Sequence, residues 1–212
     1  EEQVVSAIRP LLDSLAREPM TLSPQTAFVP GPGSDITEKL DVAQGKLCMG
    51  FTTPITNRCE ELPAMQMLNV IFGGGMTSKL FQNVREKMSL CYSIDASYYG
   101  AKGILLVNAG IDFDKETVTR QEIRKQLDAC RKGDISEAEM TAAREALLSS
   151  LRSVPDSPGS IENFTSTAAL SGLVYSREGY MEAVENVTLD DVVKCAGSVK
   201  LHTTYFLKGG SK

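Results

Sequence analysis

The 212-residue sequence lacks several patterns on which common enzyme sites depend. It has one histidine, His202, no tryptophan, and five cysteines that never stand as a C-x-x-C pair. A lone histidine excludes sites built from paired histidines. Five scattered cysteines are an odd number and favour reduced thiols over a disulfide framework. Because no charged-then-apolar leader stands at the start either, we expect a cytoplasmic protein, with the mitochondrial matrix as the alternative.

Long apolar runs and a basic charge balance are also missing. No run approaches the roughly 18 apolar residues of a membrane-spanning helix, and the formal net charge is −5. Because nucleic acid and anionic lipid both select basic surfaces, we expect neither a membrane nor a nucleic acid as partner. The 42% hydrophobic and 23% charged residues are typical of a globular protein that folds around its own core.

Three segments follow one another along the chain. Residues 1–18 carry apolar side chains at three- and four-residue steps, which predicts an opening helix. Residues 19–43 begin rich in Pro, Ser, Thr and Gly, which predicts a linker or long loop. Residues 44–212 are expected to form the main α+β domain. Because Glu1 already stands inside a helical pattern, we expect all three to be one domain cut from a longer chain.

Hydrophobic patterns predict the elements of the main segment. Alternating apolar residues at 47–51 predict a strand, and two alternating runs joined at residues 100–103 predict an antiparallel hairpin. A capping box of Ser136 and Glu139 predicts the start of a long helix. Further helices are expected at residues 62–72, 78–88, 114–130, 161–171, 177–187 and 189–199, and a closing strand at 201–207. The fold class is therefore α+β, a mostly antiparallel sheet with helices packed on one face.

The glycine triplet at residues 73–75 suggests a phosphate-binding loop, which would make the chain a small-ligand-binding module. The run departs from a P-loop, because Lys79 follows Ser78 instead of preceding a serine or threonine after four spacer residues. A tight connection between two helices is the simpler interpretation. No histidine, cysteine or carboxylate that would form a catalytic or metal site with His202 is apparent near it in sequence, so His202 is expected to be an ordinary strand residue.

Arg85 and Tyr92 form the strongest candidate site. Arg85 falls near the end of a predicted helix and Tyr92 at the start of the next strand, so a short turn directs both side chains towards one point. Arginine offers charged, fork-shaped donors suited to a carboxylate or a peptide carbonyl, and tyrosine adds a neutral donor. Two such donors also suit an oxyanion formed during peptide hydrolysis. The alternative is structural: Arg85 pairs with Glu86, and Tyr92 fills the sheet edge.

The residues around this pair resemble a known family, the pitrilysin/insulinase superfamily of zinc metallopeptidases. The resemblance is to its second, non-zinc domain, and it is carried by Phe72-Gly73-Gly74-Gly75, Ser78-Lys79-Leu80-Phe81, Val84-Arg85-Glu86-Lys87 and Leu90-Cys91-Tyr92. It implies two related α+β domains that close around a peptide, with an H-x-x-E-H helix in the zinc domain. One histidine cannot form that motif. The sequence departs from the family at Ser89 and Cys91, where members often carry glycine.

The resemblance implies a function for the chain. It is expected to be the C-terminal non-zinc domain of such a peptidase, or an inactive partner subunit like those of the processing peptidases. Arg85 and Tyr92 would then bind the backbone of a peptide substrate and complete the active site of the zinc-bearing half. The implied partners are that sister domain or subunit and a peptide, with a dimer as a further option. We expect no cofactor and no catalysis in this fragment alone, because zinc belongs to the partner. The alternative is a non-proteolytic scaffold or assembly subunit with the same fold.

Overall fold

A computed structural model describes residues 2–16 and 31–210. Its strands are β1 (Ser34–Leu40), β2 (Gly45–Thr52), β3 (Cys91–Tyr99), β4 (Ile104–Ile111) and β5 (Lys200–Gly209). Its α-helices are α1 (Glu2–Asp13), α2 (Leu62–Phe72), α3 (Glu116–Arg131), α4 (Glu137–Arg152), α5 (Pro158–Ser171), α6 (Arg177–Glu185) and α7 (Leu189–Ser198). A π-helix occupies Leu80–Lys87, and short 3-10 turns occupy Phe113–Lys115 and Val154–Asp156.

The strands form one sheet in the order β1-β5-β2-β4-β3. The β1–β5 pair is parallel and the other three pairs are antiparallel. The predicted hairpin is present, since β3 and β4 pair from Tyr99 opposite Ile104 to the far end. The expected mostly antiparallel sheet is therefore confirmed.

The hydrophobic core lies between one face of this sheet and the helices. Leu47, Met49 and Phe51 of β2 are almost fully buried and belong to the same apolar cluster as residues of α2, α3 and α7. The alternate residues Lys46 and Cys48 face the other side and are exposed or half-buried. This period-two pattern explains why the helices cover one face, as the sequence predicts.

The prediction of a linker over residues 19–43 is wrong for its last third. Residues 34–40 form β1, an edge strand with six of seven residues exposed. It has no alternating apolar pattern because neither of its faces is buried in the core. Its register is fixed by the pairing with β5, by an Asp35–Arg120 ion pair of 2.7 Å and by a hydrogen bond from Tyr205 to Glu38. Residues 19–30 lie outside the described residues.

The opening helix is confirmed as α1 at Glu2–Asp13, and residues 1, 17 and 18 of that prediction lie outside the described residues. Pro10 stands inside this helix, and none of its residues is buried. Within residues 2–16 and 31–210, no helix has the length and hydrophobicity needed to cross a membrane.

Candidate functional site

The structure brings Arg85 and Tyr92 together where the π-helix gives way to β3. The Nε atom of Arg85 donates a hydrogen bond to the main-chain carbonyl of Tyr92 at 2.9 Å. Tyr92 is 61% exposed and the Arg85 side chain is 38% exposed. Both residues line an open depression of about 380 Å³ that also includes Asp112 and Lys115. Both residues therefore lie at one surface depression, with the Arg85 side chain against the main chain of Tyr92.

The π-helix that carries Arg85 is held by two buried apolar side chains, Leu80 and Val84. Its wide turn is closed by a hydrogen bond from the Met88 amide to the Asn83 carbonyl, five residues earlier. A regular helix over the predicted residues 78–88 would place Met88, four positions after Val84, on the buried face, but Met88 is 40% exposed. A wide i→i+5 turn moves the residue four positions after Val84 off the buried face. Such turns occur often at functional sites.

Polar contacts fix the π-helix to the two long helices. Lys79, at the residue before it, forms a 2.9 Å ion pair with Glu139 of α4, and the Lys79 side chain is only 9% exposed. Asn83 donates to Gln126 of α3 at 2.9 Å. Burial tends to raise the pKa of the Glu139 carboxyl, but its bonds to Lys79 and Ser136 outweigh that effect and the pKa is lowered. Ser136 and Glu139 also form the predicted capping box.

A strained turn connects the helix to the strand. Ser89 has a φ of 51°, in the left-handed region that favours glycine. Leu90 follows it and is buried, and its amide donates to the Val84 carbonyl at 3.0 Å. The sequence carries serine where the resemblance suggests glycine, so the turn keeps the conformation at a cost in backbone strain.

The Arg85 guanidinium is held in place on two sides. Its central carbon lies 4.6 Å from the centre of the Phe81 ring, a cation–π contact. One terminal nitrogen lies 3.0 Å from the Glu86 carboxylate. The structural alternative for Arg85 therefore holds in part, since it does pair with Glu86, but over a third of the side chain remains exposed to the depression.

Tyr92 lies at a β-bulge, because the register between β3 and β4 shifts between Cys91 and Ser93. Bulges re-aim side chains, and here the phenol points along the surface to Asp112. The Tyr92 hydroxyl donates to Oδ1 of Asp112 at 2.8 Å, and Lys115 Nζ lies 3.0 Å from Oδ2. The hydrogen bonds from Lys115 and Tyr92 lower the pKa of the Asp112 carboxyl, and the same bond to Asp112 raises the pKa of the phenol.

Sequence reasoning missed Asp112 and Lys115. Asp112 is twenty positions from Tyr92 along the chain, but it directly follows Ile111, which pairs with Cys91 across the hairpin. The register of the predicted hairpin was therefore the signal that could have placed Asp112 beside Tyr92.

Gly73, the first residue of the glycine triplet, packs against the sheet. A Cβ on Gly73 would lie 2.5 Å from the Ala96 Cβ, and the Gly73 carbonyl accepts a 2.9 Å hydrogen bond from the Ala96 amide. Glycine is needed there for close approach to the edge strand β3. This geometry favours the tight connection over a phosphate-binding loop. Together with the Arg85 bond to the Tyr92 carbonyl, it covers part of the outer edge of β3.

The described residues do not fit a zinc ion. Residues 2–16 and 31–210 contain no group of three or more histidine, cysteine, aspartate or glutamate side chains that could hold a metal ion. His202 lies in β5, as expected, with one ring nitrogen 2.8 Å from the Thr203 hydroxyl and the other 2.8 Å from the Gly31 carbonyl.

A comparison with protein families shows the family to which the chain belongs. Residues 1–147 match the model for the peptidase M16 inactive domain. The chain belongs to this family. The resemblance to the non-zinc domain of pitrilysin-type peptidases is thereby confirmed, and the chain is the inactive M16 domain of a zinc protease-like protein.

Individual relatives agree with this assignment. The chain is 34% identical over 175 residues to the Bacillus subtilis protein named "Probable inactive metalloprotease YmfF", covering 82% of this chain and 41% of that protein. It is 29% identical over 205 residues to an uncharacterized zinc protease of Rickettsia felis, and the match covers 93% of this chain and 48% of that protein. The crystal structure of a conserved protein from Enterococcus faecalis V583 matches this chain with a TM-score of 0.88 at 26% identity. The match covers 100% of this chain and 50% of that one. The M16 chain thus spans about half the length of the curated relatives it matches.

Proposed function

We propose that this M16 domain binds the backbone of an extended peptide at the corner formed by Arg85 and Tyr92, and so completes the active site of a zinc-bearing half. The zinc-bearing half is a sister domain or a partner subunit. On its own the chain binds no zinc and cleaves nothing. The observation that carries the proposal is the position of a half-buried Arg85 and an exposed Tyr92, which both line one depression.

The chemistry of the depression suits a peptide. Its floor combines cations and anions, with Arg85 and Lys115 facing Glu86 and Asp112, so it does not select one sign of charge. A neutral main chain is the ligand that such a mixed surface can bind through hydrogen bonds. The Arg85 fork supplies donors that match carbonyl oxygens. Phe81 and Glu86 restrict the guanidinium before a ligand arrives, which lowers the entropy lost on binding.

The test uses the complete protein with its zinc-bearing half and a set of internally quenched fluorescent peptides. Arg85→Ala should lower kcat/KM by about 10- to 100-fold, the range expected for a charged hydrogen bond. Tyr92→Phe should lower it by about three- to tenfold. Matched controls are Arg152→Ala, an arginine 54% exposed near a glutamate on α4, and Tyr99→Phe, 53% exposed at the other end of β3.

Both controls should keep the parent kcat/KM. If Arg85→Ala and Tyr92→Phe behave like the controls in an active assembly, the corner does not bind substrate. Thermal unfolding is measured on every variant, because Arg85 also bonds the main chain of β3 and its loss has a structural effect of its own.

A non-proteolytic scaffold is the second candidate. It is favoured by the engagement of Arg85 Nε with the chain's own Tyr92 carbonyl and by the inactive status in the name of the relative at 34% identity. In a scaffold, the parent assembly would bind no peptide, and a lower unfolding temperature would be the only effect of Arg85→Ala.

A further inference from the structure

The single proton of the Tyr92 hydroxyl has a defined place in the structure. The hydroxyl donates to Oδ1 of Asp112 at 2.8 Å. The second carboxylate oxygen of Asp112 lies 3.0 Å from Lys115 Nζ. Lys115 in turn donates to the Ser89 carbonyl at 3.1 Å, within the turn that precedes Tyr92. Asp112 is thus held on both of its oxygens, and Lys115 ties it to the same turn that positions Tyr92.

A phenol that has donated its proton offers only lone pairs to any further partner. Arginine is the opposite case, with five N–H donors and no acceptor. Two of these donors are used by the Tyr92 carbonyl and Glu86. The depression therefore presents an acceptor at Tyr92 beside donors at Arg85. A peptide main chain carries both complements, because each non-proline residue has one C=O and one N–H.

We propose that Asp112, held by Lys115, is a positioning residue that fixes the Tyr92 hydroxyl as a hydrogen-bond acceptor, so that Arg85 and Tyr92 bind C=O and N–H groups of one extended peptide. This inference rests on the proposed function and changes one part of the expectation from sequence. Tyr92 is a binding group for a substrate N–H, where the sequence suggested a second donor to an oxyanion.

The ionisation of Tyr92 tests the orientation of its proton without any substrate. The charged groups lining this depression are Arg85, Glu86, Asp112 and Lys115. The bond to Asp112 raises the pKa of the phenol, and Lys115 opposes that effect. Asp112→Asn removes the anion, so the Tyr92 phenol should ionise at lower pH than in the parent chain. Absorbance at 295 nm follows the ionisation, with the Tyr92→Phe variant subtracted from each titration.

Asp156→Asn is the control, an exposed aspartate in the turn after α4, and it should leave the Tyr92 titration unchanged. If Asp112→Asn also leaves it unchanged, the proton is not held by Asp112 and the inference is overturned. That result would leave the proposed function standing.

Peptide affinity tests the consequence for binding. The probe is a fluorescein-labelled, unstructured 20-residue peptide, and its dissociation constant is measured by anisotropy on the complete protein. Tyr92→Phe and Asp112→Ala should each raise the dissociation constant by about three- to tenfold. The double variant should match Tyr92→Phe, because Asp112 acts only through the Tyr92 hydroxyl that this variant already lacks. In an active assembly, kcat should stay within about twofold, since the lost bond is made equally in ground and transition states.

Two results would overturn the inference. One is additive losses of affinity in the double variant. The other is a fall in kcat at constant affinity for Tyr92→Phe, which would assign Tyr92 a donor role in the transition state. Arg85→Ala distinguishes a failure of the positioning role of Asp112 from a failure of the proposed peptide site. If it weakens binding while Asp112→Ala does not, the positioning role alone fails. If neither weakens binding, the corner is not a peptide site.

Discussion

Ser89 allows a direct test of the turn that connects Arg85 to Tyr92. Its φ of 51° places a side chain in the left-handed region, which costs an L-residue about 1–2 kcal/mol. Replacement by glycine removes that cost but adds about 0.4–1 kcal/mol of chain entropy in the unfolded state. Ser89→Gly should therefore raise the free energy of unfolding by about 0.5–1 kcal/mol. Ser89→Val should lower it by about 1 kcal/mol, because a β-branched residue fits this region worst.

Urea and thermal unfolding of the parent chain and the two variants measure the series. At this chain length a change of 1 kcal/mol moves Tm by about 2–4 °C, so glycine and valine should differ by about 3–8 °C. Ser149→Gly is the matched control, an exposed serine within α4, where glycine should lower stability by about 0.5 kcal/mol. The same sign at both positions would refute the reasoning, because it would show that Ser89 carries no strain that glycine relieves.

Other expected outcomes concern the core and the ion pair. Glu139→Gln should cost about 2 kcal/mol at pH 7, because it leaves the nearly buried Lys79 without its anion. Since the folded pKa of Glu139 is lowered, this contribution is present above the unfolded pKa and is lost as pH falls through the folded value. Denaturant unfolding at pH 7 and in steps below pH 4.5 should show the variant and parent converging, whereas a constant gap would contradict the assignment. Phe206→Ala, at a fully buried position in β5, should cost about 3–5 kcal/mol in the same assay, and a loss under 1 kcal/mol would contradict its burial. Burial raises the pKa of the Cys130 and Cys195 thiols to about 12, so a disulfide reagent at pH 8 should label them only after unfolding, and fast labelling of the native chain would be inconsistent with the core.

The elements that the sequence predicts best are those with one buried face. The apolar alternation of β2 and the capping box of α4 each have a local cause that the residues display. β1 has no such signal, since it is an edge strand exposed on both faces, and its place is fixed by β5 from the opposite end of the chain. The π-helix could not be predicted from the sequence either, because a helical apolar pattern does not distinguish i→i+4 from i→i+5 hydrogen bonds.

The candidate site also contains residues that local sequence patterns bring out and residues that they do not. Arg85 and Tyr92 are seven residues apart, so a single turn explains why the Arg85 side chain reaches the main chain of Tyr92. Asp112 and Lys115 reach the site through the register of a hairpin. The direction of the Tyr92 proton depends on that register, and so local reasoning treated the phenol as a donor.

The bond from Arg85 to the Tyr92 carbonyl has an evolutionary consequence. The unpaired main-chain groups of an edge strand can form hydrogen bonds with a strand of another chain, and proteins protect their edge strands against such pairing. Arg85 covers one main-chain group there, and the Gly73 carbonyl covers another. A lineage that gave up proteolysis would still gain from keeping this arginine as a guard against aggregation. Its presence in a homologue is therefore poor evidence that the homologue still degrades peptides.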